Sequence, residues 1–446
     1  MDTSTIFKAY DIRGLVGSEL TPAIAKRIGN ALAQWLPLQG PVTVGRDMRP
    51  DSAELADALI EGIREQGRDV CDIGQVTSDM IYFAVGHYQL AGGAMITASH
   101  NPGAYNGIKL CREEAKPIGS ESGLHAIQAL LETPVTGETP GALTQKDCVT
   151  DWISHVLSFI DTSALKPLHI AVDAGNGMAG KIFPALQQHV PFTVEQLYFE
   201  LDGTFPNHVA NPMLPEALVD IQQVISQKGC DAGLAFDGDG DRAVLLDEKG
   251  QPLSGTVLSA LLAEHFLQNN PGQTVLLNAI CGLAAYEMVE AMGGNAVRTR
   301  VGHSYIKADM REQNAIFAAE HSGHYYFKDN FMADSGLIAA VIGLAVLCES
   351  GQSLSELARP LREKYQALTE TNFTVSDKQA VIEKLAEAFA GEQQDMLDGL
   401  TVRFADRSWF NVRPSNTEPL LRLNAEAPSK QRLNELTTLV TNILQG

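Results

Sequence analysis

The chain has 446 residues, enough for about three domains of ordinary size, and its 45% hydrophobic content is that of a globular protein needing no special core-building device. With 33 Lys and Arg against 54 Asp and Glu the formal net charge is −21, which repels phosphate backbones at long range and excludes nucleic acid as the expected partner. A phosphorylated small molecule meets the same field, so its site must be a local cluster of basic side chains and N–H donors.

The opening MDTSTIFKAYDIRG has neither a basic nor an apolar leader-like region, and no apolar run approaches membrane-spanning length. Six cysteines (71, 111, 148, 230, 281 and 348) lie far apart without a C-x-x-C pair, so a reducing cytoplasm is expected, with no disulfide framework and no cysteine-held zinc. The first unit, 1–150, alternates strand and helix signals: PVTVGRD (41–47) as a strand, then a helix over 52–67 with Ser52 as N-cap and Gly67 as its stop, then the strand-like RDVCDIG and AGGAMITAS. Thr, Pro and Gly crowd 132–147 and mark its end. A second unit (151–253) opens with KPLHIAVDAGNGMAGKIFPALQQH, and a third (254–367) carries QTVLLNAICGLAAYEMVEAMGG with the same strand–turn–helix rhythm. The remainder, 368–446, shows a helix over 378–390, paired strands and a closing helix from Ser429, an α+β module.

Four stretches have the residue types for chemistry. In AFDGDGDRAVLLD (235–247) an apolar strand runs into Asp237, Asp239 and Asp241, with Gly238 and Gly240 allowing a tight turn. Three converging carboxylates repel unless a cation neutralises them, and hard oxygen ligands suit magnesium. An acidic hairpin turn is the plainer reading, but three alternating Asp followed by Arg242 favour the metal. In TASHNP (97–102) the Asn-Pro turn leaves Ser99 exposed at a strand's carboxyl end, where α/β proteins build sites. His100 is next to it, but neighbours on an extended chain point opposite ways, so it is no automatic base; alone, this is an ordinary polar turn. In AEHSGHYYF (319–327) Glu320, Ser322 and His324 alternate, hence share one side of an extended loop able to read sugar hydroxyls; no ligands accompany the pair His321 and His324 as a metal site. In VRPSNTEP (412–419), Arg413, Ser415, Asn416 and Thr417 form either a phosphate cradle or a polar loop. Weaker signals are Tyr10 and Arg13 in KAYDIRG, Lys109 in YNGIKL, and His303 with Lys307 in GHSYIK. GNGMAG (175–180) fits a dinucleotide fingerprint without a well-placed ribose-binding acid, and reads as a structural glycine turn.

KAYDIRG, TASHNP, YNGIK, DGDGDR, GHSYIK, E-x-S-G-H and RPSNTEP, in this order along nearly the whole chain, resemble the α-D-phosphohexomutase superfamily, in particular its bacterial phosphomannomutase/phosphoglucomutase branch. The resemblance implies three similar α/β domains plus a C-terminal α+β domain around a central cleft. It implies an intramolecular phosphotransferase that interconverts hexose 1- and 6-phosphates through a phosphoserine at Ser99, with hexose 1,6-bisphosphate as intermediate and activator. Asp237, Asp239 and Asp241 would hold Mg2+ with the Ser99 phosphate; Arg13, His100 and Lys109 would surround the transferring group, with Arg242 beside the metal loop and, like Tyr10, a substrate contact. His303 would carry a proton, Glu320 and Ser322 would bind the sugar, and Arg413, Ser415, Asn416 and Thr417 the unreacting phosphate. Tyr105 and Asn416 fit the mannose/glucose branch, whereas phosphoglucosamine mutases more usually have Asp and Gly there. Two departures are His321, where the branch often has Met, and Ile280, about where many relatives carry a basic residue. A metal-dependent sugar phosphatase, or a sugar-phosphate binding protein, is the rival reading.

Overall fold

In the computed structural model, which describes residues 3, 5–415 and 420–445, three sheets repeat one wiring. Strand Val42–Arg46 lies between parallel neighbours Val70–Gln75 and Gly92–Ile96, and the latter returns antiparallel as Tyr105–Arg112. Leu168–Asp173 lies likewise between Phe192–Leu197 and Ala232–Phe236, which returns as Ala243–Asp247. Thr274–Asn278 lies between Asn295–Thr299 and Phe317–Ala319, which returns as Tyr325–Phe327. Parallel neighbours need long crossovers, and each unit supplies helices for them, such as Ser52–Glu65, Ala179–Gln187 and Leu283–Ala291. The fourth sheet, whose described pairings are all antiparallel, is covered by helices Lys378–Ala388 and Lys430–Gln445. The architecture is three α/β domains and an α+β domain.

The turns joining the third and fourth strands of the repeat are 97–104, 237–242 and 320–324. They therefore occupy one topological position in three units, at the carboxyl end of a parallel strand. A continuous core joins the units behind them, from Phe83 and Trp152 through Phe183 and Leu234 to Phe317 and Ile338. Its centre is helix Gly336–Ser350, apolar on nearly every side and correspondingly buried. No single described helix is long and apolar enough to cross a membrane.

One local expectation changes and another holds. Ser52 is the first residue of its helix, not the cap: Asp51 holds that position, and the Ser52 hydroxyl donates instead to Asp47 Oδ1 at 2.5 Å. Gly67 does follow the helix end, with φ +102°, a conformation that suits a residue without Cβ.

Candidate active site

The Asp237–Asp241 turn is held from three sides by helix N-termini. Ser78, first residue of helix Ser78–His87, donates its backbone N–H to Asp239 O (3.0 Å) and its hydroxyl to Asp239 Oδ2 (2.5 Å). Met178, just before helix Ala179–Gln187, donates to Gly238 O at 2.9 Å. Gly336 starts the third helix so close that an added Cβ would lie 2.6 Å from the Arg242 carbonyl carbon. Each helix brings the positive end of its dipole to a carboxylate cluster that would otherwise repel itself. The glycine turn 175–180 thus packs on this loop, and an added Cβ at Gly177 would sit 2.7 Å from Gly238 O.

Asp237, Asp239 and Asp241 each bring a carboxylate oxygen within 4.8 Å of the others, and all three are buried. Asp237 Oδ1 accepts from the backbone N–H of Gly240 and of Arg242. The Oδ1 atoms of Asp239 and Asp241 are buried without a hydrogen-bond partner, an arrangement that fits a hard divalent cation such as Mg2+. Lys109 Nζ lies 2.6 Å from Asp239 Oδ2 and 2.5 Å from Asp241 Oδ2. Burial alone would disfavour its charge, but the two carboxylates outweigh it and raise its pKa well above the ordinary lysine value. Burial, with Asp241 and Asp239 beside it, pushes the Asp237 carboxyl well above its usual range.

Ser99 faces this cluster from the first domain. Its Oγ lies 3.1 Å from Asp237 Oδ2 and 3.1 Å from His100 Nδ1. It is only 3% exposed, against the expectation of an exposed serine, because the second domain packs over the turn: an added Cβ at Gly238 would sit 2.7 Å from Ser99 O. Ser99 also has φ +50°, so the chain is not extended there and the two neighbouring side chains meet, contrary to the sequence argument about His100. This uncommon backbone is held from below by Arg49, whose guanidinium donates to the carbonyls of Ser99 (2.8 Å), Asn101 (2.6 Å), Pro102 (3.0 Å) and Tyr105 (2.8 Å). Sequence reasoning missed Arg49; the run RDMRPD offers no signal beyond a basic residue before proline.

Cations ring the serine. Arg13 donates to Asn101 Oδ1 at 2.6 Å and pairs with Asp11 at 2.5 Å, carried there by strand Ile12–Leu15 alongside Tyr105–Arg112. Arg242 Nη2 is 2.9 Å from His100 Nδ1 and its Nε is 2.9 Å from His324 Nε2. The Arg242 charge, then burial, hold the His100 imidazole neutral, its pKa well below the ordinary histidine value.

The 319–327 segment is a tight hairpin, not the extended loop expected: Glu320 N donates to His324 O at 2.9 Å and Gly323 N to Glu320 O at 3.1 Å. Glu320 is buried and accepts from Tyr326 Oη (2.5 Å) and Asn278 Nδ2 (3.3 Å), while Ser322 is half-buried on the turn. Both ring nitrogens of His324 are engaged within the protein: Nε2 faces Arg242 and Nδ1 lies 2.9 Å from Asp334 Oδ2. Asp241, His324 and Asp334 group closely enough to hold a metal, a grouping the sequence did not suggest, although Lys307 and Arg242 already engage Asp334 and His324. His321 instead faces Thr256 Oγ1 at 3.3 Å. His303 starts helix His303–Gln313, packs edge-on against Tyr10 at 5.6 Å and is kept neutral by burial and by Lys307. Tyr10 donates to Val301 O at 3.2 Å, and Gly302 makes room for its ring.

In the fourth domain Arg413 pairs with Glu370 at 3.1 Å, and Arg422 pairs with the same carboxylate at 3.2 Å. Arg422 Nη2 approaches Ser415 Oγ at 3.5 Å and Lys378 Nζ donates to Ser415 O at 3.3 Å. Lys378, Arg422 and Glu370 were not singled out from the sequence, since they lie on other elements of the module. Asn416 and Thr417 lie outside the described residues. Ile280 is buried at the seam between the third and fourth domains, and the basic group near its loop is Arg298, which donates to Ala279 O at 3.2 Å.

A buried serine beside a carboxylate trio, ringed by guanidinium and ammonium groups and built from equivalent turns of repeated α/β domains, defines an enzyme of phosphoryl transfer. Models of the phosphoglucomutase/phosphomannomutase alpha/beta/alpha domains I, II and III match residues 4–136, 150–250 and 254–365, and that of the C-terminal domain matches 370–442. The chain is 42% identical to the "phosphohexose mutases" of Xanthomonas campestris pv. campestris over 100% of both chains, and 40% identical to a phosphomannomutase of Salmonella montevideo over 98% of each. The crystal structure of a phosphoglucomutase/phosphomannomutase family protein from Burkholderia thailandensis superposes with a TM-score of 0.92 at 31% identity, covering 100% of this chain and 98% of that one. The chain belongs to the phosphoglucomutase/phosphomannomutase family and is a phosphohexomutase.

Proposed function

We propose that the enzyme moves a phosphoryl group between the 1- and 6-hydroxyls of a hexose, mannose first and glucose also, through phosphorylated Ser99 and a hexose 1,6-bisphosphate. The observation that carries this reading is Ser99 Oγ standing 3.1 Å from Asp237 Oδ2 across a domain junction. Phosphoryl transfer asks mainly for positioning and charge neutralisation. Mg2+, when bound by Asp237, Asp239, Asp241 and the Ser99 phosphate, supplies Lewis-acid neutralisation of phosphoryl oxygens.

The side chains do the rest. Ser99 gives its phosphoryl to the free hydroxyl of a sugar monophosphate and takes back the other one. Arg13, Arg242 and Lys109 offer N–H donors around the group in transit, and neutral His100, its Nδ1 accepting from Arg242, lies beside the serine. Neutral His303 receives the proton of the attacking hydroxyl. Glu320 and Ser322, with Tyr10 alongside, read the sugar; Arg413 and Ser415, with Asn416 and Thr417, hold the phosphate that is not reacting. The bisphosphate must turn end over end between transfers, so one sugar reader and one distant clamp serve both orientations. Closure of the fourth domain excludes water, which would turn transfer into hydrolysis. Hexose 1,6-bisphosphate is also the activator that reloads a dephosphorylated serine. We set the domain limits at 1–150, 151–253, 254–367 and 368–446, and the compartment as the cytoplasm, which suits six free, buried cysteines.

Intact-mass measurement and peptide mapping after incubation with hexose 1,6-bisphosphate are expected to find one phosphate, on Ser99. Ser99→Ala is expected to lose turnover by about a thousandfold or more while still binding substrate. A chain that stays unphosphorylated, or a fully active variant, would overturn the mutase mechanism, and inorganic phosphate as main product would point to a phosphatase. Comparing kcat/KM on the 1-phosphates of mannose, glucose and glucosamine sets the sugar; preference for glucosamine would move the chain to the other branch.

A further inference from the structure

Asp334 lies on the short strand Ala333–Asp334, 2% exposed, and has no part in the chemistry above. Its two oxygens face different partners: Oδ2 is 2.9 Å from His324 Nδ1, and Oδ1 is 2.7 Å from Lys307 Nζ. That ammonium is itself fully buried, 3.6 Å from the centre of the Tyr82 ring. From His324 the contacts run on: Nε2 to Arg242 Nε at 2.9 Å, Arg242 Nη2 to His100 Nδ1 at 2.9 Å, and His100 Nδ1 to Ser99 Oγ at 3.1 Å. The chain of contacts starts in the third domain, passes through the second and ends at the serine of the first.

Chemistry fixes its direction. A guanidinium Nε–H can only donate, so His324 Nε2 must accept and carry no proton. The ring proton therefore sits on Nδ1. Asp241 Oδ1 is 3.7 Å from that nitrogen, too far for a hydrogen bond, whereas Asp334 Oδ2 is in range. In the other tautomer two N–H groups would face each other and Arg242 would lose its anchor. Lys307 keeps Asp334 ionised at a depth where a lone carboxylate would take up a proton.

We propose that Asp334 is a positioning residue: by accepting a hydrogen bond from His324 Nδ1–H it fixes the tautomer that anchors Arg242 Nε, and so holds the guanidinium against His100 Nδ1, beside the Ser99 hydroxyl. The inference rests on the reading of Ser99 as phosphoryl acceptor, with Arg242 meeting the transferred group.

Nitrogen-15 NMR of histidine-labelled wild-type enzyme at neutral pH, with His324 assigned by subtracting the His324→Gln spectrum, is expected to show the neutral Nδ1–H tautomer. An Nε2–H or doubly protonated ring would overturn the proposal, whatever the fate of the serine mechanism. Asp334→Asn is expected to lower kcat by about 10- to 100-fold, as loss of a supporting hydrogen bond does at other sites, with KM within about twofold. In the Arg242→Lys background the same change should cost much less, because both act through one guanidinium. Fully multiplicative losses would overturn the proposal. Should Asp334→Asn not fold for want of a partner to Lys307, the pair Lys307→Met with Asp334→Asn removes both buried charges and takes its place in the cycle. Phosphorylation of Ser99, measured separately, tells failure of the underlying mechanism from failure of this assignment.

Discussion

Lys109 Nζ touches one oxygen each of Asp239 and Asp241, while their other oxygens are buried without partners. The lysine thus supplies part of the neutralisation that a bound divalent ion would complete. Removing one member of a buried pair typically costs about 3–5 kcal/mol, because the partner charge stays behind. Lys109→Ala should therefore show a clearly lower melting temperature in EDTA, and millimolar Mg2+ should restore much more stability to the variant than to the wild type. Equal stabilisation of both by Mg2+ would mean that the ammonium and the ion do not share these carboxylates. The three aspartates were legible from sequence because one short turn holds their type and spacing. Ser99 was legible as a residue but not in its environment: its contact with Asp237 spans 138 positions, and packing of the second domain both buries it and brings it to the carboxylates. Arg49 was not legible for the same reason, since the carbonyls it holds lie 50 to 56 positions along the chain.

At the level of elements, the rhythm of strand, turn and helix could be read three times, and the turns carrying Ser99, the aspartates and Glu320 were all marked. That they are the same joint of the same wiring could not be read, because the units share no obvious residue-level repeat and the equivalence appears only in strand pairing. The junction of two of their helices carries its own pH signature. Asp79, in the first turn of helix Ser78–His87, accepts from the Thr77 hydroxyl and, at 2.5 Å, from Ser335, the cap of helix Gly336–Ser350. Burial outweighs these hydrogen bonds and pushes its carboxyl up to about 7. The folded chain then binds a proton that the unfolded chain releases, so stability falls as pH rises from about 4 to about 7 and levels off above. Asp79→Asn removes this dependence. Relative to wild type, the variant should gain roughly 3–4 kcal/mol between pH 4 and pH 8, whatever constant penalty the exchange of hydrogen bonds brings. Denaturant unfolding at several pH values measures it, and parallel curves for the two proteins would refute the assignment.

Across the whole molecule, the first three domains share a core, whereas the fourth has a separate one and meets the third along a polar seam. Asp395 pairs with both Arg298 of the third domain and Arg403 of its own, Asp398 accepts from Val301 N at 2.9 Å, and Glu287 pairs with Arg407 at 2.5 Å. The innermost contact is Glu426, which accepts from Leu283 N (2.8 Å), at the start of helix Leu283–Ala291, and from Trp409 Nε1 (3.1 Å). The carboxylate thus faces the positive end of a helix across the domain boundary. A seam made of hydrogen bonds and ion pairs can separate and reform at less cost than an apolar core, which would suit the proposed clamp on a turning intermediate. Glu426→Ala leaves both donors unmet, and hydrogen bonds to a charged group contribute about 1.5–3 kcal/mol each. Substrate binding would then have to restore the docking, so KM is expected to rise by about tenfold or more while kcat, set in the closed state, changes by less than about twofold. Small-angle scattering should show a more open substrate-free variant that returns to the wild-type dimensions on saturation with sugar phosphate. If KM and dimensions stay unchanged, the fourth domain is seated by the outer ion pairs, and Arg298 and Asp395 become the residues that govern its closure.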